Sequence, residues 1–189
     1  MMDATLRRRL MWFLAIAVLG CAVDLATKTW VFRELGPPPL EHGIDNTRWL
    51  VGRYIGLQTS LNEGALFGMG QGKVAFFAAL AILAAVGIPL WLFIFAAARD
   101  GWVNIALAFV MGGILGNLYD RLGLWWDASF IGYPKHAVRD WILFRYGDWT
   151  WPNFNLADSY LVTGAVMILV QAFLQQPQNL IDNVSEQTS

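Results

Sequence analysis

The chain has 189 residues, of which 57% are hydrophobic and only 14% charged, with ten tryptophans and a mean hydropathy of +0.46. That mixture is too apolar for an ordinary soluble domain and reads as an integral membrane protein. A formal charge of -1, with Lys and Arg scattered, leaves no footprint for nucleic acid; the single Cys21 excludes an internal disulfide, and His42 and His136 are too far apart for a zinc-ligand pattern, so no metal or cofactor is expected.

A membrane-spanning helix needs about 20 predominantly apolar residues. The first is predicted over about 10–32, behind Arg7, Arg8 and Arg9, and it contains Asp24 and Lys28. Together with "VLGC" at 18–21 this segment mimics a lipoprotein signal peptide. However, Leu19 is large for the position two before the cysteine and the apolar run continues past Cys21, so a retained helix with a buried structural cysteine is expected. The chain from 33 to 72 carries three consecutive prolines and then β-branched and aromatic residues, which predict a short strand or two at the membrane surface.

The second helix is predicted over about 73–98, with Pro89 bending it rather than stopping it. A third, about 102–120, fades into Asn117, Asp120 and Arg121. Residues 122–157 are rich in Trp, Tyr and Phe, rings that favour the headgroup level, and are expected to form a loop lying on the bilayer. A fourth helix follows at about 157–175, and the whole of 1–189 reads as one membrane-embedded domain. Both long connections are rich in Arg and Lys, which opposes placing the amino terminus inside, whereas the N-terminal arginines favour it; both termini are taken as cytoplasmic because the first helix usually dominates.

The polar groups gather where these helices end. Asp24 and Lys28, four apart, share a helix face and can pair, with the lysine either snorkelling to the interface or orienting a substrate or a catalytic loop. In "SLNEGALFG" (60–68) Asn62 and Glu63 sit beside Gly64 and Gly68, a turn or a backbone that approaches a ligand closely. In "GGILGNLYDRL" (112–122) Gly112 and Gly116 offer a small-xxx-small packing face, and Asn117, Asp120 and Arg121 follow; an Asp120–Arg121 pair would be structural. Asp140 in "AVRDWI" and Asp158 in "NLADS" are 158 − 140 = 18 residues apart, each beside apolar sequence. If they meet in a dry site both cannot ionise, and a pair sharing a proton can hydrolyse an amide without a metal or a covalent intermediate. Asp158 also reads as a helix N-cap, while Asp100, Asp127 and Asp148 read as loop residues without an adjoining helix start.

In order, Asp24 with Lys28, "NEGALFG" (62–68), "GGILGNLYDR" (112–121), "AVRDWI" (137–142) and "FNLADS" (154–159) resemble the lipoprotein signal peptidase family, signal peptidase II, over about residues 10–175. The resemblance implies an α-helical integral membrane protein with four transmembrane helices, a small periplasmic β-element (β-cradle) between helices 1 and 2, and a periplasmic loop between helices 3 and 4. It implies an aspartic endopeptidase of the bacterial inner membrane, working on the periplasmic side, that removes signal peptides from diacylglyceryl-modified prolipoproteins by cutting before the lipidated cysteine. It carries the catalytic pair onto Asp140 and Asp158, active-site support onto Asn62, Asn117, Arg121 and Asn155, and structural roles onto Asp24, Lys28 and Asp120. The partners implied are the prolipoprotein, membrane lipid and the cyclic peptide globomycin. Two features depart from the family: the link between Asp120 and Asp140 is longer than usual and rich in aromatics, read as a lid facing the membrane, and Arg139 and Trp141 stand where small or apolar residues are commoner. A transporter or proton relay is the competing class, but it predicts midplane charges and internal repeats, and neither is visible.

Overall fold

In the computed structural model, residues 3–41, 45–64, 70–94 and 100–174 are described. Helix α1 runs Ala4–Leu35 and starts at Asp3, whose carboxylate accepts from the Leu6 amide at 2.7 Å. Its 32 residues at about 1.5 Å each reach about 48 Å, beyond the roughly 30 Å hydrocarbon layer. Helix α2, Val74–Pro89, passes directly into a π-helical turn, Leu90–Ile94. Proline has no N–H to give the ladder, and the wider turn carries the helix on, so Pro89 does not stop it. The remainder of the predicted second helix, 95–98, lies outside the described residues, as do residue 175 of the fourth and His42.

Helix α3 spans Gly101–Arg121 and α4 spans Leu156–Leu174. Asp100 caps α3 by accepting from the Trp102 and Val103 amides at 2.8 and 3.3 Å, which corrects its reading as a loop residue without a helix to start. Asp127 likewise caps a short 3₁₀ turn, Ala128–Phe130. Four of the described helices are long and apolar enough to cross a membrane. Their outer faces display Leu14, Leu83, Val86, Leu169 and Phe173, all exposed, which is what hydrocarbon solvates best.

The helices meet on α3, whose buried face is built from small residues. Gly112 lies against the Ala17 carbonyl and Gly20 of α1, while Gly113 and Gly116 lie against Ala157 of α4. A side chain on Gly113 would strike the Ala157 carbonyl and the Leu161 side chain, and one on Gly116 the Asp24 carboxylate. Gly113→Val is therefore expected to lever α4 away from α3, costing about 1–3 kcal/mol by overpacking. The measurement is thermal unfolding of the purified variant in detergent; an unchanged midpoint would contradict the close approach. Below this contact Phe13, Ala17, Leu92, Ala108 and Met111 form the apolar core, with Phe93 edge-on to Phe13. Cys21, expected to be buried, is half-buried on α1.

At one end of the bundle stands a four-stranded antiparallel sheet in the order β1-β2-β3-β4. Strands β1 (Arg48–Val51) and β2 (Ile55–Asn62) come from the α1–α2 connection. Strands β3 (Val138–Tyr146) and β4 (Trp149–Phe154) come from the α3–α4 connection, where a loop was expected. The β-element is thus shared by both connections. Its second half escaped the sequence because Val138, Arg139 and Asp140 are all buried, so the two-residue alternation that marks a half-exposed strand is missing. The β3–β4 turn is Gly147-Asp148 with Gly147 at φ 59°, the left-handed backbone that two-residue hairpins need.

Candidate active site

Sheet and helices converge on two carboxylates. Asp140 lies in β3 opposite Ser60 of β2 and is 2% exposed. Its Oδ2 accepts from Asn62 Nδ2 at 3.1 Å and its Oδ1 from Asn155 Nδ2 at 2.6 Å. Asn62 is itself oriented, since its Oδ1 accepts from the Gly64 amide at 2.9 Å and from Gln71 Nε2 at 3.3 Å. The rest of that glycine motif, Ala65–Gly68 with Phe67, lies outside the described residues.

Asp158 sits in the first turn of α4, with Oδ1 accepting from Asn117 Nδ2 at 2.9 Å and Oδ2 from the Asn155 amide at 3.2 Å. The Asp158 amide in turn donates to Asn155 Oδ1 at 2.9 Å. This reciprocal pair is a capping box in which Asn155 caps and Asp158 stands three residues in, which corrects the reading of Asp158 as the cap itself. Asn155, wholly buried, therefore holds one carboxylate with its side chain and the other with its backbone. Burial pushes the Asp140 carboxyl up to about 8, with the Asp158 charge adding to the rise; Lys28 and the amides of Asn62 and Asn155 oppose it.

Behind this pair lies a buried ionic cluster. Lys28 has no exposed surface; its Nζ is 2.7 Å from Asp24, 3.3 Å from Asp120 and donates to Asn117 Oδ1 at 2.9 Å. It does not snorkel, because two carboxylates and an amide supply what water would. Asp24 also reaches α4, its Oδ1 accepting from the Ala157 amide at 2.9 Å. Asp120 does not pair with Arg121. Its partner besides Lys28 is Arg139, whose Nη2 and Nε donate to Oδ1 at 2.8 and 3.1 Å while its backbone amide donates to Oδ2 at 3.0 Å. Arg121 instead donates from Nη2 to the Gly64 carbonyl at 3.1 Å, lies over the Phe77 ring, and adds positive charge that interacts with both Asp140 and Asp158. In the sequence Arg139 stands out only as an unusual neighbour of Asp140; four Asp and Arg/Lys positions spread over 116 residues carry no local pattern that joins them.

Beside Asp158 opens a cavity of about 520 Å³, walled by Phe144, Trp151 and Phe154 from the sheet and by Ser159, Val162 and Thr163 from α4. Its walls are mostly apolar, with a carboxylate at one edge. An apolar cleft with few convergent polar groups is the usual form of a binding site.

The fold and site together define a multi-pass helical membrane protein that bears a carboxylate pair under a small sheet at one end. The model of the signal peptidase (SPase) II family matches residues 16–174. The lipoprotein signal peptidase of Rhodopirellula baltica is 48% identical over 162 residues, covering 85% of this chain and 71% of that protein. The lipoprotein signal peptidase of Serratia proteamaculans is 32% identical over 166 residues, 88% of this chain and 87% of that one. A bacterial membrane enzyme solved by the in meso method at 2.3 Å superposes with a TM-score of 0.67 at 22% identity, covering 88% of this chain and 90% of that chain, a likeness of fold. The chain belongs to the signal peptidase II family. It is a membrane protease with lipoprotein signal peptidase function, and the transporter reading is not favoured.

Proposed function

We propose that the chain is an aspartic endopeptidase whose catalytic pair is Asp140 and Asp158, and that it cuts diacylglyceryl-modified prolipoproteins just before the lipidated cysteine. The observation that carries this reading is Asn155, which binds both carboxylates at once and so gathers two acids that the sequence separates by a strand and a turn. Asp140 enters protonated and donates to the scissile carbonyl. Asp158, at a helix N-terminus that favours negative charge, enters ionised and takes a proton from the attacking water. The intermediate then collapses as a proton passes to the departing amine nitrogen. Asn62, Asn117 and Asn155 hold the acids, and Arg121, whose Nη2 here holds the Gly64 carbonyl, would donate to a substrate carbonyl. Asp24, Lys28 and Asp120 form the base on which that arrangement rests.

The cavity beside Asp158 takes the apolar part of the substrate, and globomycin would compete for the same place. All of 1–189 works as one domain in the bacterial inner membrane, with the sheet and both long connections on the periplasmic side; Arg7, Arg8 and Arg9 then lie in the cytoplasm, where flanking cations belong.

The test is the pH dependence of cleavage of a diacylglyceryl-modified prolipoprotein by the purified protein in detergent. Because Asp140 must carry its proton and burial pushes its carboxyl up to about 8, while Asp158 must be ionised, kcat/KM is expected to be bell-shaped, falling as pH rises through about 8 and falling again at acid pH where Asp158 takes up a proton. The same shift acts on stability: between the ordinary value of 3.8 and about 8 the folded protein keeps a proton that the unfolded chain has lost, so thermal stability declines across that window. A profile flat from pH 6 to 10 would remove Asp140 as the acid, and equal cleavage of unlipidated precursor would remove the lipid requirement.

A further inference from the structure

Building on the aspartate pair proposed above, two departures from the family pattern, the aromatic link after Asp120 and the arginine before Asp140, occupy one place in the fold. Arg139 is 4% exposed, gripped by Asp120 as described, and its Nη1 donates to Thr29 Oγ1 of α1 at 3.3 Å. Its guanidinium lies 5.2 Å from the centre of the Trp125 ring, which packs edge-on to Phe130, and both rings lie on Phe32 of α1. The link is therefore folded against the end of α1, over the arginine.

Charge explains what this arrangement does. Asp24 and Asp120 bring two negative charges into the buried interior, and Lys28 and Arg139 bring two positive ones. Without Arg139, Lys28 alone would face both carboxylates, and Asp120 would compete for the donor that Lys28 gives to Asn117. Asn117 is the amide that holds Asp158. We propose that Arg139 is a positioning residue for the aspartate pair: by neutralising Asp120 it leaves Lys28 bound to Asn117, while Trp125 and Phe130 keep water from the guanidinium.

The effect runs through groups facing Asp140 from each side. Asp158 comes from α4, Lys28 from α1, Arg121 from α3 and Asn62 from β2, while Arg139, bound to Asp120 of α3, is its own neighbour in β3. Lys28 lowers Asp140 alongside the amides of Asn62 and Asn155, so drawing the lysine toward Asp120 lets Asp140 hold its proton to higher pH.

Steady-state cleavage by Arg139→Met, Arg139→Lys and the charge-balanced pair Arg139→Met with Asp120→Asn, each in detergent across pH, tests this. Arg139→Met is expected to lose kcat by roughly a hundredfold with KM changed less than threefold, and to move the alkaline limb upward. Arg139→Lys, which keeps the charge, is expected to stay within a few-fold of the parent with the limb in place, and the paired variant to recover most of the lost kcat. A parent-like Arg139→Met would overturn the proposal. So would an Arg139→Lys as impaired as Arg139→Met, which would mean that the fork merely braces the strand. If Arg139→Met alone does not fold, a paired variant that folds but stays inactive overturns the proposal equally, and one that folds and cleaves supports it. Full activity of Asp140→Asn or Asp158→Asn would instead sink the catalytic reading, which keeps the two failures apart.

Discussion

Asp140→Asn and Asp158→Asn are each expected to lower turnover of a diacylglyceryl-modified prolipoprotein by roughly 10⁴-fold or more, and the double variant by little beyond either alone. The two groups act on one proton cycle: one must give a proton to the carbonyl while the other takes one from water, so losing either stops both. Asparagine fills the same volume, and a rotated amide can still offer its oxygen to Asn155 at position 140 or to Asn117 at position 158. Neither substitution empties the site. At 140 it also replaces a carboxyl that the fold already forces toward its neutral form, so the unfolding midpoint of Asp140→Asn is expected to match or exceed that of the parent at pH 8 and above. Loss of cleavage with retained stability separates chemistry from folding. Retained cleavage in either single variant would show that the carboxylate concerned is dispensable.

Which parts of this arrangement the sequence exposes follows from how local each signal is. The four helices are legible because hydrocarbon demands about 20 apolar residues in a row, and Leu10 to Phe32 or Val74 to Ile94 meet that demand without reference to the rest of the chain. Asp140 and Asp158 stand out for a related reason: each is a charge beside sequence that cannot easily dissolve one. The partners of these charges are another matter. Asp120 looks as though it should pair with Arg121, but adjacent residues on a helix point about 100° apart, and the two serve different neighbours, Arg139 and the Gly64 carbonyl. Lys28 reads equally well as a snorkelling end or a buried ion, because the deciding groups, Asp120 and Asn117, lie some ninety residues on. Strand β3 hides for a third reason. It is covered on both faces near Asp140 and carries an arginine whose burial only Asp120 makes tolerable.

Lys28→Met is expected to be the most destabilising single substitution in the ionic cluster, at about 3–5 kcal/mol. Methionine keeps the length of the side chain but takes a positive charge from between two buried carboxylates, leaving Arg139 to face Asp120 and nothing to face the Asp24 oxygen now 2.7 Å from Nζ. For a chain of this size that corresponds to a fall in unfolding midpoint of about 6–20 °C, read by thermal unfolding in detergent. Asp24→Asn added to Lys28→Met restores neutrality, because Asp120 and Arg139 then balance each other, and the amide oxygen can still accept from Ala157. The double variant is therefore expected to regain most of the stability. It is not expected to regain the activity, since Asn117 Oδ1 would keep only the 3.2 Å donor from Asn155 and lose the lysine that fixes which way its amide faces Asp158. Recovery of both together would mean that Lys28 serves the fold alone; recovery of neither would mean that the charge balance is not what makes its burial tolerable.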